Sequence, residues 1–87
     1  EKAKEWGEMG VLKMEIVQLR SQAQKLTSKL GAIVYETLVE KGEATVSKDS
    51  ALIRDTLLQI ETLEKQIDDK EAQFKTKGGK EDDLKDD

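Results

Sequence analysis

Two runs of apolar residues recur in alternating steps of three and four, and a short glycine-bearing segment separates them. Met9, Leu12, Ile16, Leu19, Ala23, Leu26, Leu30 and Ile33 keep the step in the first run. Ile53, Thr56, Ile60, Leu63, Ile67, Lys70 and Phe74 keep it in the second. This is the spacing of a coiled-coil seam, with the named residues at the a and d positions of two helices. It restricts the chain more than any other feature, because it dictates which face of each helix must be covered.

Folding the chain about residue 43 pairs seam positions whose numbers sum to 86. Ile33 then meets Ile53, Leu30 meets Thr56, Leu26 meets Ile60 and Ala23 meets Leu63. Leu19 meets Ile67 and Leu12 meets Phe74, and the small Ala23 opposite Leu63 fits the large–small alternation of interdigitating cores. Ile16 against Lys70 is the weak layer; there the lysine stem covers the seam while its ammonium reaches water. The flanks agree: Lys13 falls beside Glu71 and Arg20 beside Glu64, opposite in sign, and Gln22 and Lys29 face Gln66 and Gln59 without repulsion. The expected fold class is all-α, an antiparallel two-helix coiled-coil hairpin that dimerises into a four-helix bundle.

The hairpin is expected over residues 1–77, with a helix over about 3–40, a turn over about 41–47 and a helix over about 48–76. Gly42 offers the left-handed position that ends the first helix, and Ser47 is the expected N-cap of the second, with Asp49 in its first turn. Gly78-Gly79 ends that helix, and residues 78–87 read as a disordered acidic tail.

Charged residues make up 39% of the 87 and aromatics 3%, a composition that suits long helices and starves a globular core. Proline, cysteine and histidine are all absent, which removes helix breaks, thiolate nucleophiles, imidazole bases and the usual zinc ligands together. Asp68-Asp69 and Asp82-Asp83 read as solvated charge, and Asp82, Asp83, Asp86 and Asp87 lack the spacing of a calcium loop. No catalytic residue, cofactor or metal is therefore expected. The net charge is −4, of which residues 78–87 carry −3, leaving a nearly neutral body. Only Arg20, Lys25 and Lys29 speak for a nucleic-acid-binding arm, against an acidic second helix. No apolar run approaches the ~20 residues of a membrane span, so the expected location is the cytoplasm. The start at Glu1 is compatible with a processed or trimmed N-terminus.

The back of the first helix breaks the pattern of a charged outer surface. Its b and f positions are Gly10, Met14, Val17, Ser21, Gln24, Ser28, Gly31, Tyr35 and Leu38, with no charge among the nine. The second helix instead carries Arg54, Asp55, Glu61, Lys65, Asp68, Asp69 and Lys75 on its outside. A weakly polar, solvated back is the plain reading. The functional one is a protein interface in which glycine and serine let another helix approach. With a two-fold axis near Gln24 the face becomes self-complementary. Val17 meets Gly31, Gly10 meets Leu38, Met14 meets Tyr35 and Ser21 meets Ser28.

Lys2-Ala3-Lys4, Lys13-Met14-Glu15-Ile16, Leu30-Gly31 with Val34-Tyr35-Glu36, and Leu63-Glu64-Lys65-Gln66-Ile67 add a family likeness. Across residues 2–74 the chain resembles the helical-hairpin portion of small bacterial proteins in which such a hairpin precedes a C-terminal zinc ribbon. The resemblance implies a bacterial structural protein without catalytic residues. No cysteine pair follows the hairpin here, so a zinc-binding role does not carry over. The expected function is a homo-oligomeric coiled-coil scaffold or interaction module. The alternative is an adaptor hairpin that binds a helix of another protein through the same uncharged face.

Overall fold

The computed structural model describes residues 2–80 and Leu84, and for residues 2–6 the backbone alone. Helix α1 spans Lys2–Tyr35 and continues as a wider π-helical turn, Glu36–Glu40. Helix α2 spans Ala51–Thr76 and packs back along α1, making a rod with extents of 60 × 24 × 15 Å. Two ion pairs fix the antiparallel sense: Glu8 with Lys77 at 2.8 Å and Glu15 with Lys70 at 2.7 Å.

Every seam position named from the heptads, from Met9 to Ile33 and from Ile53 to Phe74, is buried or partly buried. Leu12 and Phe74, opposite each other in the expected register, share one apolar cluster with Ile16. Thr56 is the buried polar member of the seam, and its hydroxyl donates to the Leu52 carbonyl at 2.8 Å. That bond offsets the cost of desolvating the hydroxyl. Lys70 lies in the seam as expected, but its ammonium ends on Glu15.

The flank pairing expected from the sequence needs correction. Arg20 pairs with Glu71 rather than Glu64, and Glu71 is thereby engaged by Arg20 instead of Lys13. The reason is the lean of helical side chains towards their own N-terminus. In an antiparallel pair, Arg20 leans towards the end of α1 that lies beside the C-terminal part of α2, and Glu71 leans back to meet it. Arg20 and Glu64 lean apart.

Helix ends also differ. At the turn, Gly42 takes φ +68, and the Glu43 N–H reaches the Thr37 carbonyl at 3.0 Å. The expected N-cap, Ser47, lies outside the helix, where its hydroxyl accepts from the Asp49 N–H at 3.1 Å. Extended Ser50 stands at the N-cap instead, three residues later, and makes no side-chain capping bond. The Ser47 turn competes with helix formation for these residues, which delays the start of α2.

The largest departure is at Leu84. This residue, expected within a disordered tail, is 1% exposed and belongs to the cluster of Leu12, Ile16 and Phe74. Its carbonyl accepts from Arg20 Nη1 at 2.6 Å. The chain turns there through a paired C-terminal motif: the Gly79 N–H donates to the Phe74 carbonyl at 2.9 Å and the Gly78 N–H to the Lys75 carbonyl at 3.0 Å, with Gly78 at φ +97. Gly79 sits directly on the Phe74 ring, where a Cβ would come within 2.2 Å of it. Asp82, Asp83, Asp86 and Asp87 lie outside the described residues.

Two outcomes follow. Ile16→Ala, at a fully buried site, should destabilise the chain by about 2–5 kcal/mol in urea titrations, and Leu26→Ala, at a partly exposed one, by clearly less. Arg20→Gln should cost about 1 kcal/mol, discounted for partial exposure, whereas Glu64→Gln should stay within about 0.5 kcal/mol. Equal effects of the last two would contradict the observed flank pairing.

Candidate interaction surface

Because the seam uses the a and d positions, the b and f positions of α1 point away from α2. All nine positions of the uncharged stripe are exposed: Gly10, Met14, Val17, Ser21, Gln24, Ser28, Gly31, Tyr35 and Leu38. The large members stand well clear of the rod, with Met14 62%, Tyr35 59%, Leu38 40% and Val17 37% exposed. Val11 and Val39, at the neighbouring c positions, are also exposed and widen the stripe. The heptad count could have found them, since among the c positions Val11, Gln18, Lys25, Ala32 and Val39 only Lys25 is charged.

Gly10 and Gly31 sharpen the point. Among the described residues a Cβ added to either would meet nothing within 4 Å, so no contact among them requires a glycine there. Mid-helix glycine nevertheless costs roughly 0.5–1 kcal/mol relative to alanine. The hairpin carries that cost without any packing return of its own.

A second opening lies between the helices at mid-rod, a groove of about 580 Å³ lined by Leu26, Leu58 and Leu63 together with Gln22, Lys25, Gln59 and Thr62. Lys25 is the one titratable side chain of that lining, and its three leucines offer an apolar packing surface. Apolar Leu52, Leu57 and Leu58 are exposed on α2 nearer the turn. Among the described residues no group of three or more carboxylates gathers as a metal site, and no helix is long and apolar enough to cross a membrane. Arg20, one of the three cations of the suggested nucleic-acid arm, is turned to Glu71 and the Leu84 carbonyl. The chain matches no known protein family, no curated protein and no solved structure.

If the stripe is plain solvated surface, Gly31→Ala has a helix-propensity effect alone. Thermal denaturation of dilute protein should show a gain of about 0.5–1 kcal/mol. Any loss in dilute solution would mean that this glycine is needed within the single hairpin.

Proposed function

We propose that this chain is a non-enzymatic interaction module, a coiled-coil scaffold that self-associates through the back of α1 into an antiparallel homodimer, with four helices in one bundle. The observation that carries the reading is the α1 stripe, in which exposed apolar side chains alternate with glycines over open space. About the two-fold near Gln24, Val17 would seat over Gly31 and Leu38 over Gly10, and the Met14 thioether would lie on the Tyr35 ring. The surface of the single chain supports the same reading. A compact protein of 9.8 kDa exposes about 5,200 Å². This one exposes 6645 Å². The excess exceeds the ~800 Å² that each partner buries in an ordinary stable interface.

One residue favours a different occupant. Lys25 borders the proposed axis, where two copies would bring like charges near each other. A helix of another protein, bound by the hairpin as an adaptor, avoids that repulsion.

Sedimentation equilibrium separates the two. On the homodimer reading the parent chain sediments as a dimer, and Ser28→Lys converts it to a monomer with unchanged helical circular dichroism. A parent chain that stays monomeric at high concentration, or a mutant that stays dimeric, rejects the homodimer; the first result moves the adaptor ahead.

A further inference from the structure

The mid-rod groove is one part of a longer channel. Three openings follow one another along the same flank of the rod, the side on which the heptad g positions of both helices lie. The first, of about 660 Å³, lies by Glu8, Val11, Gln73 and Lys77. The second, of about 380 Å³, shares Glu15 and Lys70 with the first and reaches Gln18, Gln22 and Gln66. The third is the leucine-lined groove, which shares Gln22 with the second. Together they run from Gly7 to Leu26 along α1. At roughly 1.5 Å per residue that is about 29 Å, the length of a helix of about 20 residues.

Burial of the seam is lopsided towards the same side. Ile16, Ala23 and Ile67, at a positions, are buried, whereas Leu19, Leu26 and Leu63, at the d positions beside the g row, keep part of their surface exposed. The g row of α2 is Leu52, Gln59, Gln66 and Gln73, without a charge, while its e row carries Glu64 and Glu71. A third helix laid on a two-helix seam covers one flanking row, and glutamine loses less than a carboxylate when water is removed from it. The hydroxyl of Thr62 already donates to the Leu58 carbonyl at 2.9 Å, so covering it strands no donor.

Charge decides what kind of helix fits. Glu8 with Lys77 and Glu15 with Lys70 cancel along the first two openings. Lys25 is the charged residue of the third, and it has no ion-pair partner among the described residues. Its complement is a carboxylate on the incoming helix. A second copy supplies that poorly: the α1 stripe has no charge, and the acidic outer face of α2 has no apolar row.

We propose that this flank is a docking groove for one amphipathic helix of another protein. That helix seats an apolar row on Leu19, Leu26, Leu58 and Leu63, lays uncharged residues along the glutamines and sets a carboxylate opposite Lys25, so that the complex is a three-helix bundle. The groove and the uncharged back of α1 are different faces, so the proposal stands or falls separately from the homodimer.

The test uses the full 87-residue chain and a fluorescent synthetic helix of about 20 residues, with leucines at heptad a and d positions, glutamines beside them and one glutamate among the glutamines. A control peptide has lysine in place of that glutamate. In anisotropy titrations the parent should bind the glutamate peptide about tenfold more tightly than the lysine peptide, and Lys25→Glu should reverse the order. Leu58→Lys, at an exposed residue outside the seam, should weaken both by about tenfold or more while circular dichroism shows the hairpin intact. Gln59→Lys, which leaves the leucines in place, should do the same, and Ser28→Lys on the back of α1 should change neither affinity. Absence of binding at millimolar parent chain, equal affinity for the two peptides, or binding that Ser28→Lys removes and Leu58→Lys spares overturns the proposal. So does a parent dimer that Leu58→Lys dissociates, because the occupant of the groove would then be a second copy.

Discussion

Two helices touch along one line, and each side chain on that line is covered from one direction by the opposing helix. Ala23 and Ile67 are buried along that line at mid-rod, and a residue from outside both helices adds cover at one pole. Leu12, Ile16 and Phe74 are buried in one cluster with Leu84, and Ile53 and Thr56 are buried nearer the turn. Between these ends Leu26, Leu30, Ile60 and Leu63 keep part of their surface in water. The mid-rod groove opens there.

The electrostatics are subordinate to that geometry. Glu8 with Lys77 and Glu15 with Lys70 lie along the flank and are half-exposed, so each adds little energy but excludes sliding of one helix past the other. Arg20 is different because it serves two elements at once, α2 through Glu71 and the returning tail through the Leu84 carbonyl. Lysine could not reproduce the arrangement, since two separate nitrogens of a planar fork are in use.

The buried positions were legible in the sequence because their period is a property of the α-helix, and the meeting of Leu12 with Phe74 was legible because a short turn leaves few registers. What escaped was whatever depends on direction within a layer. Arg20 and Glu64 are neighbours on a flat map of positions, yet their side chains diverge in space, and the converging partner is Glu71. Ser47 and Ser50 are equivalent as capping residues by type, and only local hydrogen bonding separates them. Leu84 carried a signal in retrospect. The layer of Ile16 against Lys70 lacked an apolar partner, and the one apolar residue of the acidic tail was left over. The α1 stripe was legible as composition, but the open space above Gly10 and Gly31 came only with the coordinates.

The two helices meet their turn at one pole, and Glu8 and Lys77 mark the other, so a pull on both chain ends would load the rod as a zipper and not in shear. Each layer would then carry the load in sequence, beginning at the pole where Phe74 sits against Leu12. Because Leu84 packs with that first layer and its carbonyl is tied to α1 through Arg20, it lies across the peeling front. Leu84 thus acts mechanically as a clasp. Tension would have to undo it before the long seam behind it felt any force.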